Sequence, residues 1–481
     1  MRNYFLLLLF LLNSTLHGQP ITICNENPHY FFIKNKPTIL VASSEHYGSI
    51  INPDFDFDIY LKTLNKIGLN HTRLWLGDYV EKPGDFCLSQ NTSAPMPGKF
   101  LPPWMRSSEP GFALGGNKFD LDKWNPVYFE RLHAFMQQAS DYDIVVECVL
   151  FFVGPNWKYL PMNPSNNINN TTNIEGRDYL TLNNGNILDY QRKYCLKLVN
   201  ELNRYDNIIF NIANEPWFNN QEHPGFASPP RDETKAWIRE VSEWIVREEK
   251  KLPKQHLLSV DYMNEGRRIS KEEEAKYWKH IAVFHHHYDK NALSVKYNYG
   301  MNKVLSFNET GLMPPSTSQY RIQGWKYLMS GGALYNNLDF TFEVGSEDGS
   351  GRTAFLCDGY NGCNDSGVKY EMAALLKFMS SFDFVNSRPN YHVITCAWGD
   401  KNYCVLENPG KEYVIYIYGG SNRGLIQLRL VVGKYKLLWI HPPDGKIIRQ
   451  TEIQTDAQGG LQVNAPDFTE DIALVLRFHK P

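Results

Sequence analysis

The sequence predicts an α/β protein: a (β/α)8 barrel, the TIM-barrel architecture, followed by a small all-β sandwich. Three observations predict it. Apolar strand-like runs alternate with amphipathic helical stretches eight times between residues 22 and 385. Long loops follow several of the strands, which fits a closed barrel better than an open sheet. From about Asn390 the texture changes to short alternating runs separated by turn signals such as Pro443-Asp444-Gly445. No Gly-x-Gly-x-x-Gly follows the first strand, which argues against a dinucleotide-binding fold.

The elements follow in order. Thr38 to Ser43 reads as strand one, and a helix with Ile59, Leu61, Leu64 and Ile67 ends at Gly68. His71 to Leu76 is strand two, with His71, Arg73 and Trp75 on one face and Leu74 and Leu76 on the other. A Pro/Gly-rich loop spans Gly77 to Lys123. Asn125-Pro126 caps a helix carrying Phe129, Leu132, Phe135 and Met136. Asp143 to Phe152 is a very apolar third strand, followed by an Asn-rich loop over 153–186 and a helix with Leu188, Leu196 and Val199. Ile208 to Ala213 is an uninterrupted apolar run, as expected of a parallel strand buried on both faces, and it ends in Asn214-Glu215-Pro216-Trp217. Asp232-Glu233 open a helix with Trp237, Val241, Trp244 and Ile245 on one face; acids there suit the helix dipole. His256 to Val260, Ile281 to Phe284, Val304 to Glu309 and Gly332 to Asn337 supply strands five to eight, with helices at 317–330 and around Met372 to Phe378. The domain reading is a leader at 1–18, a barrel at 22–385 and a β-sandwich at 386–481. The sandwich is expected to pack against the barrel and support it.

Composition narrows the function. A net charge of −3 gives no electrostatic case for nucleic acid. An aromatic content of 14% suits stacking on ring-shaped ligands, although core packing accounts for many such residues. The start, a basic residue, the apolar block Tyr4 to Leu12 and a polar region reaching Gly18, describes an export signal too short to span a bilayer, and no later stretch is apolar enough to do so. The chain is expected to be secreted or periplasmic, without a transmembrane segment. Export permits disulfides, and Cys357/Cys363 and Cys396/Cys404 are near enough in sequence to bridge locally, while Cys148 reads as a buried thiol. The absence of Cys-x-x-Cys disfavours a zinc ribbon.

The chemistry concentrates in two glutamates. Glu215 ends strand four and Glu309 ends strand seven, on opposite sides of an eight-stranded barrel and at the C-terminal end where such folds place their active sites. Two carboxyls across a cleft are what glycosidic cleavage requires, one a protonated acid and the other an ionised nucleophile or base. Repulsion between them helps separate their pKa values.

Asn214-Glu215-Pro216 on strand four with Glu309 on strand seven resembles the retaining glycoside hydrolases of clan A, family 5 in particular. The resemblance implies a secreted retaining β-glycosidase acting on oligo- or polysaccharides, with Glu215 as acid/base and Glu309 as nucleophile. It implies that Asn214 binds the sugar 2-hydroxyl and that Arg73 holds the nucleophile ionised. It also implies that His286-His287-Tyr288 supplies a His-x-Tyr pair, His286 and Tyr288, whose tyrosine bonds the nucleophile. No cofactor is implied. Where that family usually ends strand eight in tryptophan, this chain reads Ala333 to Phe340 without one.

Several residues keep two readings. Arg73 is either the nucleophile's partner or an interior salt bridge. Glu45-His46, after strand one, either line the pocket or cap a loop. Trp75 and Trp157 are candidate sugar contacts, as is Trp217 beside the acid. Asp339, Glu343, Glu347 and Asp348 form either a solvated loop or a substrate or calcium contact. The run His285-His286-His287 invites a metal, but neighbouring strand residues alternate faces, so the three cannot ligate one ion from a regular strand. Asn308, in an Asn-x-Thr sequon, directly precedes Glu309; either it is buried before modification or the host does not glycosylate, and a bacterial host is the simpler reading. A carbohydrate-binding protein on a decayed barrel and a transglycosylase are the competing functions; the oligomeric state is left open.

Overall fold

The computed structural model describes residues 18–218, 228–289, 291–311, 316–397, 402–419 and 425–479. The leader, apart from Gly18, lies outside them. Eight parallel strands form the barrel in the order one, eight, seven, six, five, four, three, two: Leu40–Ser44, Leu334–Leu338, Val304–Glu309, Ile281–His287, Leu257–Asn264, Ile208–Ala213, Val145–Phe151 and His71–Trp75. Strands one and two close the ring without a regular ladder. Asn70 spans the seam instead: its backbone N–H donates to Val41 O, and its side chain accepts from Val41 N and donates to Ile39 O.

Each strand is followed by a helix on the outer wall, as the alternating pattern predicts. Helix Phe57–Ile67 is capped by the Asp56 side chain and ends on Gly68 at φ 94°, a left-handed turn that suits glycine. Helix Pro126–Asp141 begins on Asn125, whose side chain accepts from Val127 N. The barrel strands carry apolar residues on both faces because helices cover one face and the barrel interior the other.

Three features depart from the sequence expectation. The residues before the barrel form a three-stranded antiparallel sheet, Thr22–Ile23, Phe31–Ile33 and Lys36–Thr38, so Thr38 belongs to it and the first barrel strand starts at Leu40. The stretch expected as one loop over 77–123 contains a hairpin, Trp104–Pro110 with Asn117–Trp124. The disulfide joins Cys87 to Cys357, while Cys363, Cys396 and Cys404 are free. The local bridges expected from sequence spacing are therefore replaced by one between two distant loops. Cys148 is a buried free thiol, as expected.

The C-terminal strands form a sandwich. A six-stranded sheet runs in the order Arg388–Pro389, Asn402–Asn408, Glu412–Tyr418, Asp471–His479, Lys434–His441, Lys446–Gln454, facing a sheet of Ile394–Ala397, Leu425–Arg429 and Gly460–Asn464. Strands Lys446–Gln454 and Gly460–Asn464 escaped the sequence reading. The larger sheet is apolar on both faces. Val405, Ile415 and Leu474 point to the small sheet, whereas Leu406, Val414, Tyr416 and Val475 join the core that continues into the barrel. Tyr416 stacks on Trp325 of helix Thr317–Met329, with ring centroids 5.1 Å apart. Beside that contact Arg321 pairs with Asp471 at 2.8 Å and Glu371 at 2.9 Å.

Candidate active site

Glu215 lies two residues beyond strand four, and Glu309 is the last residue of strand seven. An oxygen of each carboxyl and a ring nitrogen of His287 lie within 4.8 Å of one another. His287 Nδ1 is 3.3 Å from Glu215 Oε1 and 3.8 Å from Glu309 Oε1. Arg73 Nη1 donates to Glu309 Oε2 at 3.0 Å, and Arg73 Nη2 donates to Asn214 Oδ1 at 3.0 Å. The structure thus brings together Arg73, Asn214, Glu215 and Glu309.

Glu215 stands at φ 40°, in the left-handed region that costs a side-chain-bearing residue about 1–3 kcal/mol. Asp261 of strand five holds it there, accepting the Glu215 backbone N–H at 3.2 Å. Asp261 also stands 3.0 Å from His287 Nε2 and 3.5 Å from Arg73 Nη2. Arg73 Nε donates to Glu147 of strand three at 2.8 Å, and His285 Nε2 stands 3.1 Å from the same carboxyl. The amides of Asn211 and Asn308 each donate to both Glu147 and Asp261. Both acids are fully buried, so this layer of charges and amides satisfies them beneath the mouth. Asn308 is itself fully buried, with its amide committed, which leaves no place for a glycan in the folded chain.

The charges shift one another. Burial opposes ionisation of Glu147, yet His285 and Arg73 hold it down at about 2. Asp261 is held well below the usual carboxylate range by Arg73 and His287 against the same burial. Burial disfavours the His287 cation, but Asp261 and Glu309 raise it to about 10. Burial pushes Glu309 up to about 7; His287 and Arg73 pull it down, and the Glu215 and Asp261 charges push it up. Tyr47, buried behind strand one, shares the electrostatics of Glu309 and Arg73 and lies 4.8 Å below the guanidinium.

The pair opens into a cavity of about 700 Å³, within the usual range of small-molecule sites, about 300–1,000 Å³. Of the residues expected from sequence, His46, Trp75, Asn214, Glu215, Tyr288 and Glu309 line it. Four do not. Glu45 is buried and caps its own loop, accepting from Gly48 N, Ser49 N and Ser49 Oγ. Trp157 packs on Tyr179 and donates to Ile174 O. Trp217 is buried edge-on against His287 at 5.2 Å, supporting that ring rather than offering a face to sugar. His286 points away from the pair, toward Tyr262, and burial lowers it to about 3. His287, not His286, is the histidine on the carboxylates. The acidic loop after strand eight serves its own turns: Asp339 accepts from Thr341 and Ser43 beside Lys369, and Glu343 accepts from Thr353.

Sequence reasoning missed Glu147 and Asp261, although each is a lone acid inside an apolar strand and so a buried charge in need of partners. It also missed Glu81, Phe86, Phe152, Phe218, Phe340 and Tyr360 on the cavity wall, which come from loops whose course the pattern does not encode. Two groups have the composition of a metal site, Glu147–Asp261–His285 and Glu215–His287–Glu309. In both, Arg73 donates to a member carboxylate, and amide donors occupy further oxygens of the first, so the guanidinium already supplies the positive charge.

Fold and site together define an eight-stranded barrel carrying a facing pair of glutamates at its mouth. No family model matches the sequence, and comparison with curated proteins finds no match. Solved structures do match in fold. One described as a glycoside hydrolase aligns over 96% of this chain and 97% of its own, at 14% identity and a TM-score of 0.63. A glycoside hydrolase family 5 structure from Bacteroides vulgatus aligns over 95% of this chain and 93% of its own, at 13% identity and a TM-score of 0.62. The likeness covers barrel and sandwich together.

Proposed function

We propose that the chain is a retaining β-glycoside hydrolase, with Glu309 as nucleophile and Glu215 as general acid/base. The carrying observation is the carboxylate pair, with oxygens within 4.8 Å and Arg73 bonded to Glu309. Retaining glycosidases keep their carboxyl groups about 5–5.5 Å apart, whereas inverting enzymes need about 6.5–9.5 Å to admit a water. The fold likeness to glycoside hydrolases supports the same reading, and the apolar block Tyr4 to Leu12 supports export.

The pair carries one proton. With it on Glu215, the repulsion from that group vanishes, and Arg73 and His287 keep Glu309 ionised. Glu309 attacks the anomeric carbon, the C1–O bond to the leaving group breaks, and the Glu215 proton passes to the departing oxygen. Water then attacks C1 of the glycosyl-enzyme, gives its proton to Glu215 and releases Glu309. Asn214, fixed by Arg73, is placed to hold the sugar 2-hydroxyl. Tyr288 lines the same cavity, where the family resemblance gives it the nucleophile as partner. A decayed barrel would not be expected to retain both carboxyls with Arg73 and His287 in contact.

The test is hydrolysis of a panel of aryl β-glycosides, with NMR of the first-formed anomer. A β product first supports double displacement; an α product first overturns it. Glu309→Ala should abolish turnover, and a variant that kept the wild-type rate would remove that residue from its role.

A further inference from the structure

The cavity has two unlike sides. At and beyond the ends of strands four and five stand Glu215, Phe218, Asn264 and Glu265; on loops after strands one, two and eight stand His46, Glu81, Phe86, Phe340 and Tyr360. Barrel order sets these groups across from each other.

The second side is tied shut. The Cys87–Cys357 disulfide joins the loop after strand two to the loop after strand eight. Beside it the loops pair: Ser89 N donates to Ala354 O at 2.9 Å, Leu356 N donates to Cys87 O at 2.6 Å, and Leu88 bridges Phe355. Phe86, next to the disulfide, and Phe340 both pack against His46, with ring centroids 5.8 and 5.9 Å from it. The disulfide therefore sits directly behind the cavity wall, next in sequence to the lining residue Phe86.

Glu81 lies in that wall, 1% exposed. The Asn91 amide donates to one of its oxygens, and His46 Nε2 is 3.6 Å from the other. Burial pushes its carboxyl up to about 8, so near neutrality it carries an O–H that can donate to a sugar hydroxyl. His46 Nδ1 is buried without a hydrogen-bond partner among the described residues.

Direction follows from chemistry. Glu215 protonates the leaving oxygen, so the leaving group departs on the Glu215 side, and the sugar being cleaved lies toward the stapled wall. A chain continuing past that sugar meets the disulfide-tied loops. The lining holds several carboxyls and no lysine or arginine among the described residues, and Arg73 beneath is engaged with Glu309, Glu147 and Asn214. A sugar acid would find repulsion and no counter-ion.

We propose that the stapled wall makes this an exo-acting enzyme that removes single uncharged sugars from non-reducing ends, with Glu81 and His46 binding the terminal ring. The proposal rests on the glycosidase reading above. The test incubates wild-type enzyme with reducing-end-labelled β-linked gluco-, manno- and galacto-pentaoses. The expected result is a ladder of labelled products shortened by one sugar at a time, from at least one of the three. Labelled products shortened by two or more sugars at early times, ahead of the tetrasaccharide, overturn the exo assignment while leaving glycosidase activity standing. No hydrolysis of any pentaose or aryl glycoside overturns the underlying reading, and the inference with it. In a second arm, Glu81→Ala should raise KM for the cleaved aryl glycoside about tenfold, or about 1.4 kcal/mol, with kcat changed less. Cys87→Ser with Cys357→Ser should begin to yield labelled products shortened by two or more sugars at once; a double variant still confined to the chain end would remove the staple from its role.

Discussion

At the scale of single residues, the site rests on Asp261 and Arg73 as much as on the two glutamates. Asp261 holds the Glu215 backbone in its left-handed conformation and faces both His287 and Arg73. Burial raises Glu309 to about 7. That value belongs to the carboxyl pair, which keeps below it the one proton that the leaving oxygen receives and loses that proton above it. The ratio kcat/KM should therefore fall as pH increases through about 7, and a profile flat from pH 5 to 8 would contradict the assignment. Glu215→Ala should lower kcat/KM by about 10²–10⁴ for substrates with poor leaving groups, and much less for dinitrophenyl glycosides, which leave without a proton. That Asn214, Glu215 and Glu309 meet at the mouth was legible because charge and amide arrive where an apolar strand stops, whereas Arg73, inside strand two, was reached through the family resemblance. The histidine was misplaced by matching a motif instead of following the strand: alternation already sets His286 on the opposite face from His285 and His287. Glu147 and Asp261 carried a readable signal, a lone acid in an apolar strand, which points to burial without naming the partners.

At the scale of elements, strands and helices were legible from periodicity and capping, whereas the mouth loops were not. The hairpin Trp104–Pro110 with Asn117–Trp124 hides in a stretch whose prolines and glycines read as irregular. The disulfide pairs cysteines 270 residues apart, which neighbourhood in sequence cannot propose. Helix Thr317–Met329 shows a further limit. Its Arg321, which nothing in the helix pattern singles out, is buried between helix and sandwich against Asp471 and Glu371. Arg321→Met should cost about 3–5 kcal/mol, because it leaves buried Asp471 unpaired. Urea denaturation measures this, and a change below 1 kcal/mol would show the pair to be dispensable.

At the scale of the whole molecule, barrel and sandwich share one core. Strands of the larger sheet alternate between two apolar faces, one toward the small sheet and one toward the barrel. A chain ended before Arg388 would expose Trp325 and its neighbours, and it should aggregate in light scattering where the full chain does not. Among the described residues no helix is long and apolar enough to cross a membrane. The fold sets strands four and seven across the mouth, so that Glu215 and Glu309 face each other; in the proposed reading they converge on one anomeric carbon. The most direct measurement traps that event. An activated 2-deoxy-2-fluoro-β-glycoside of the cleaved sugar should leave one fluoroglycosyl group on the enzyme, and peptide mass mapping should find it on Glu309. A label on Glu215, or turnover with inversion and no trapped adduct, would contradict the account.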